Sequence, residues 1–373
     1  MTDDLTTPLT GRRRRSGVAR LPIARILFGL LALIAMGFVA RVLLVDDPDG
    51  GRPSQEVAVT STRNANEVAN NVADGPVTIT ADPQQFPADG SITAITTGTG
   101  GASSVIGLPD IFGALPDLSE ETANGPIPRM SSTGLTPFAA YAHPAGNALA
   151  SGSPMIAIVV TGLGINEQGS LDAIDTLPSV VTLAFAPYGK ALSTTVAAAR
   201  TAGHEVLLEV PLEPFDYPQN DPGPQTLLTG EPARANLDKL FWLMSRFGGY
   251  VGLINNMGAR FTASAADFSP LMEELGARGL GYLDDGSSNR SLAPQLAEGN
   301  KVPFSRADLQ IDANPARASI LAALASLEAK ALENGHAIGI VSALPISMTT
   351  LADWARDLES KGILLVPASA LMK

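Results

Sequence analysis

The sequence predicts an α/β fold: a (β/α) barrel of about seven to eight βα units, preceded by one transmembrane helix and a polar tether. Three observations predict it. A basic block and a long apolar stretch stand near the N-terminus, and a Gly-, Ser-, Thr- and Pro-rich stretch follows. From residue 155 onward, short apolar runs alternate with amphipathic helical patterns.

Arg12, Arg13, Arg14 and Arg15 form the basic block, with Arg20 and Arg25 behind it. Residues 26–45 (ILFGLLALIAMGFVARVLLV) are then apolar or small except for Arg41. That is the ~20 residues a helix needs to cross the hydrocarbon core. Arg41 lies near one end, where its long side chain can reach the interface. Positive charge before the span, with Asp46, Asp47 and Asp49 after it, makes residues 1–25 a cytoplasmic tail. The expectation is a single-pass protein of the cytoplasmic (inner) membrane, with everything after residue 46 periplasmic. A cleaved signal peptide has the same basic-then-apolar order. The stretch is long for one, however, and no small-x-small site precedes the acidic cluster.

Residues 46–150 show little periodicity, and runs such as Thr96-Thr97-Gly98-Thr99-Gly100-Gly101 bury too little apolar surface to offset ordering entropy. They read as a low-complexity linker whose more apolar end, 125–144, can pack on the following domain. The net charge of −12 opposes a nucleic-acid partner. With no cysteine, disulfides, zinc–thiolate sites and thiol nucleophiles are all excluded.

The domain spans 151–373. Strands are expected at 155–160, 181–185, 205–210, 250–254, 281–283, 302–304, 337–341 and 363–366. Helices are expected at 167–176, 192–202, 234–246, 267–278, 291–298, 315–333 and 349–360. A Rossmann arrangement would need a Gly-rich phosphate turn. Thr161-Gly162-Leu163-Gly164 lacks the third glycine, and a lone GxG after a strand is a weak signal.

In parallel α/β folds the loops after the strands carry the chemistry. Read in order, they offer Tyr188; Glu213, Phe215, Asp216 and Tyr217; Asn255, Asn256 and Arg260; Asp284 and Asp285; Arg306 and Asp308; and the run Ser342-Ala343-Leu344. The histidines stand elsewhere. His204 and His336 each precede a strand, at the opposite end of the sheet, and His143 lies in the linker.

Several segments in order resemble the divergent polysaccharide deacetylase family, a NodB-like barrel group. They are Ile156-Ala157-Ile158-Val159-Val160 with Gly162-Leu163-Gly164; Val181-Thr182-Leu183-Ala184-Phe185-Ala186-Pro187-Tyr188; Gly203-His204-Glu205-Val206-Leu207-Leu208 leading to Pro211-Leu212-Glu213-Pro214; Asn255 with Met257-Gly258-Ala259-Arg260-Phe261-Thr262; and Leu283-Asp284. The resemblance covers nearly the whole domain and implies a role in carbohydrate metabolism of the cell envelope. It also implies two aspartates where this chain has Thr161 and Gly162, and a histidine where it has Glu209. A second histidine is implied at Asn256, and a Gly-His-Pro motif at Val341-Ser342-Ala343. Each substitution removes a base or metal ligand. Zinc-type deacetylation needs such donors to hold an ion and lower the pKa of its water.

Three functional readings follow. Tyr188, Phe215, Tyr217, Asn255, Asn256, Arg260, Asp285, Arg306 and Asp308 can stack on and hydrogen-bond a glycan, or meet an envelope protein partner, in a degenerate barrel with no metal site. Glu209, Glu213 and Asp284 are the candidate catalytic carboxylates of an active hydrolase, a deacetylase or a glycosidase. No cofactor is expected, although carboxylates of this kind can hold a hard divalent ion. Each candidate also has a plain structural reading. Asp285-Gly286 is an ordinary turn signal, Asp284 can cap a helix, Asn255-Asn256 can satisfy loop backbone, and the arginines can pair with nearby aspartates. Glu209 ends an apolar strand, where an ionised carboxylate needs a partner.

Overall fold

The computed structural model describes residue 110 and residues 113–373. The predicted tail and the predicted span at 26–45 lie outside the described residues. Among the described residues, no helix is long and apolar enough to cross a membrane.

Two layers build the domain. Strands β3 (Met155–Leu163), β4 (Thr182–Phe185), β5 (Val206–Leu212), β6 (Gly252–Met257), β7 (Gly281–Asp284), β8 (Phe304–Arg306), β9 (Leu309–Gln310), β10 (His336–Ser342) and β11 (Leu364–Val366) form one nine-stranded sheet. Its pairing order is β8-β7-β6-β5-β4-β3-β10-β9, and every ladder in it is parallel. β11 adds to the first half of β3, at Met155 to Ala157, leaving the second half to β4.

The strands read as continuous apolar runs because both faces are covered. Alternate residues divide cleanly between two cores. Ile156, Ile158, Val160, Leu183, Phe185, Leu208 and Leu253 face outward onto the helices. Ala157, Val159, Ala184, Leu207, Ile254, Leu283, Ile338 and Ile340 face the inside of a curled sheet. Ala307 N bonds Asp284 O on β7, while Asp308 N bonds Ile338 O on β10. The segment from β8 to β9 thus bridges the two ends of the pairing order.

The outer layer comprises α3 (Glu167–Thr176), α4 (Leu192–Thr201), α5 (Ala233–Met244), α6 (Ala265–Arg278), α7 (Ala293–Asn300), α8 (Arg317–Asn334) and α9 (Pro345–Leu358). Local chemistry sets their ends. Asn166 caps α3 by accepting the Gly169 amide at 3.0 Å. Gly279 ends α6 in the left-handed region at φ 67°, a conformation that costs glycine little. Each helix buries one stripe, such as Ile320, Leu324, Leu327 and Ala331 on α8.

Part of the stretch expected as linker, from residue 113 to 150, is folded. It carries the hairpin β1 (Ser119–Thr122) and β2 (Gly125–Pro128), then α1 (Pro137–Tyr141) and α2 (Ala148–Ser151). Leu118, Ile127 and Tyr141 are buried. Leu118 and Tyr141 join Ala368, Leu371 and Met372 to fill the inside of the curl from below. A fully buried carboxyl fastens this floor. Glu205 accepts bonds from His143 N (3.1 Å), Thr182 Oγ1 (3.0 Å), Ser369 N (3.1 Å) and Ser369 Oγ.

Candidate functional site

At the C-terminal ends of the strands the inside of the curl becomes polar. One inward position beyond the apolar layer, Val159 gives way to Thr161, Leu207 to Glu209, Ile254 to Asn256, Leu283 to Asp285 and Ile340 to Ser342. These tips line a cavity of ≈ 400 Å³ together with Gly162, Asn255, Gln310, Ala343 and Leu344. The volume falls within the range of small-molecule sites.

Glu209 is its most perturbed group. The side chain is 5% exposed, and Oε1 accepts the Gly162 amide at 2.5 Å. Burial raises its carboxyl to about 7, against the lowering effect of the Gly162 bond. Among the described residues, only Oε1 of the carboxyl has a hydrogen-bond partner. The register of β3 against β4 shifts between Val160 and Leu163, and Gly162 takes φ 79° there. That irregularity makes room for an amide to turn out of the ladder toward the carboxyl.

Asp285 also lines the cavity. Burial pushes its carboxyl up, while Ser287 N donates to Oδ1 at 2.8 Å. Asn256 lines the cavity and makes no side-chain hydrogen bond among the described residues, so its amide is open to a ligand. Asn255 behaves differently: Oδ1 accepts Asp285 N (3.0 Å) and Tyr282 Oη (3.1 Å), and Nδ2 donates to Met257 O (2.6 Å). It holds the loop in which Met257 takes the strained φ of 62°.

The other sequence candidates lie elsewhere. Glu213 accepts Thr229 N (2.5 Å) and Thr229 Oγ1 (2.7 Å) and pairs with Arg260 at 3.0 Å, closing the neck of the 214–226 excursion. Asp284 is outward in the pleat and buried. Its Oδ1 accepts Gly286 N at 2.8 Å and stands 3.9 Å from Arg306, and its Oδ2 has no partner. Arg306 donates to Gly286 O (3.2 Å) and Ser288 O (2.8 Å), pinning that turn. Asp308 accepts Ile338 N at 2.8 Å and belongs to the seam between β8 and β10.

Phe215 and Arg306 line a second, shallower groove of ≈ 660 Å³ with Ser287 and Arg290. Tyr188 packs on Trp242, ring centroids 6.5 Å apart, beneath Gly223. Tyr217 lines neither concavity. The cavity therefore gathers Glu209, Asn255, Asn256 and Asp285 but not the other candidates. Gln310 also lines the cavity and is not among the sequence candidates, because its strand is two residues long and carries no readable alternation.

The donor set does not fit a catalytic zinc ion. Among the described residues, no group of three or more His, Cys, Asp or Glu side chains is placed to hold a metal. His204 donates Nδ1–H to Val181 O at 2.8 Å, and His143 donates to Gly203 O at 2.8 Å. Both contacts are at the floor. His336 begins β10 opposite Met155, at the same end.

Fold and site together define a curled parallel α/β protein with a carboxyl-bearing cavity at its strand tips. The chain belongs to the divergent polysaccharide deacetylase family, whose model matches residues 158–372. It is 24% identical over 229 residues to YibQ, an uncharacterized protein of Escherichia coli K12, covering 60% of this chain and 70% of that protein. An uncharacterized Haemophilus influenzae protein is 24% identical over 205 residues, covering 54% of this chain and 71% of the relative. Among solved structures, an uncharacterized Agrobacterium tumefaciens C58 protein is 42% identical with a TM-score of 0.64, covering 66% of this chain and 99% of its own. The parallel curled sheet with its helices is consistent with the family's NodB-like fold.

Proposed function

We propose that this chain is a membrane-anchored envelope protein whose barrel binds glycan in the Glu209 cavity and has given up metal-dependent deacetylation. One observation carries the reading. Thr161, Gly162, Glu209, Asn256, Ser342 and Ala343, which replace the aspartates and histidines implied by the family resemblance, all line one cavity. What survives there is a small, polar, solvent-reaching pocket with free hydrogen-bonding groups but without a ligand set for an ion. The basic block and the apolar stretch at 26–45 support the anchor, with the domain in the periplasm.

Calorimetric titration of the purified full-length protein with cell-wall glycan fragments tests the reading. Binding is expected, and Asn256→Ala should weaken it. Bound zinc, with acetate release abolished by a chelator, would overturn it. A second reading is favoured by the Glu209 carboxyl, raised to about 7, which suits a general acid in metal-free hydrolysis. It predicts glycan cleavage or deacetylation that survives chelation and is lost in Glu209→Gln.

A further inference from the structure

We infer that the ligand of the Glu209 cavity carries an ammonium group, as a de-N-acetylated amino sugar does, with Glu209 and Asp285 supplying its counter-charge. The inference rests on the glycan reading above and names the ligand's charge.

The cavity's composition carries it. Two carboxyls line it, and no Lys, Arg or His does. Three neighbouring carboxylates have a cation beside them, and a fourth, Asp312, is held by hydrogen bonds from Gln310, Ser342 and Ser347. Glu213 has Arg260 at 3.0 Å, Asp284 has Arg306 at 3.9 Å and Asp308 has Lys330 at 4.0 Å. Among the described residues, Glu209 and Asp285 have no ion-pair partner, and no cation acts on either carboxyl. Arg290 and Arg306 line the neighbouring groove instead.

Carboxyls removed from water without a counter-charge are held toward the neutral form by desolvation. An ammonium entering the cavity offers three N–H donors to a pocket rich in acceptors: Glu209 Oε2, the Asn256 amide oxygen and the Asp285 carboxyl. A neutral acetamide at the same place supplies no charge to draw the carboxyls into their ionised form. The net charge of −12 adds a long-range attraction for a cationic glycan.

The experiment is calorimetric titration of the full-length protein with two chito-oligosaccharides of equal length, one fully N-acetylated and one with free amines. The free-amine form should bind at least about tenfold more tightly, the range expected of a hydrogen bond to a charged group. The preference should shrink in Glu209→Gln and in Asp285→Asn. Each variant keeps the oxygen that accepts Gly162 N or Ser287 N, and unchanged far-UV circular dichroism would show that it is folded. Equal or tighter binding of the N-acetylated form overturns the inference while leaving the glycan reading standing. Failure of both oligosaccharides to bind overturns the two together.

Discussion

Glu205 and Glu209 point to the same side of one extended segment, with Leu207 between them, yet their carboxyls have opposite fates. Glu205 sits at the floor and accepts from Ser369, His143 and Thr182. Glu209 sits at the mouth with one amide bond and one oxygen open to the cavity. Four residues of strand span roughly 13 Å, so the same pleat face delivers a structural clamp at one end and a ligand group at the other.

The Glu209 carboxyl makes stability depend on pH in a defined direction. Its value rises from 4.5 to about 7 on folding, so the stability it contributes is present below 4.5 and is lost as pH rises through about 7. The loss amounts to about 3 kcal/mol at ~1.4 kcal/mol per pH unit. Glu209→Gln should therefore melt higher than wild type at pH 8, by roughly 5–10 °C for a domain of this size, and equally at pH 4. Equal melting temperatures at pH 8 would contradict the burial of this group.

Removing the floor clamp should have the reverse effect. Glu205→Ala leaves two Ser369 donors, the Thr182 hydroxyl and the His143 amide without their acceptor at a largely buried site. A loss of about 3 kcal/mol or more is expected in urea unfolding. Hydrogen exchange should show faster opening at residues 368–371 and around His143, with β6 unaffected.

The hairpin of β1 and β2 is held by one arginine. Arg278 reaches Pro128 O at 2.5 Å, Glu120 at 2.9 Å and Glu274 at 2.7 Å, and its guanidinium lies 5.2 Å from the Phe241 ring centroid. Arg278→Met keeps much of the packing but removes the bonds. Limited proteolysis should then cut within 119–128 while 155–373 stays resistant.

Gly189 couples two mouth loops. A Cβ there would stand 2.2 Å from Gly164 O, a backbone atom that cannot step aside without moving the loop that presents Gly162 to Glu209. Gly189→Ala should cost about 1–3 kcal/mol in stability. It should also weaken glycan binding; binding at wild-type strength would separate the two loops.

Much of this was legible because parallel strands and their crossover helices write strong patterns. The helix expected at 167–176 has those bounds, and Asn166 caps it. The strand at 155 runs three residues past its expected end because Thr161-Gly162-Leu163 continues the ladder through a bulge. Side-chain roles were harder. The pleat sends Asp285 inward beyond Leu283 and Asp284 outward, and one residue separates a cavity group from a buried turn cap. Glu213 reads as a site carboxylate until Thr229, distant in sequence, folds back onto it. Glu205 looks like an ordinary strand residue until His143, 62 residues before it, and Ser369, 164 residues after it, arrive beside it.

The seam at Ala307-Asp308 has a consequence for recognition. Because these two residues bond β7 on one side and β10 on the other, the nine-stranded sheet offers, among the described residues, no long row of idle amides and carbonyls at its rim. A visiting polypeptide cannot dock on it by extending the ladder. Whatever this sheet recognises must be read by side chains.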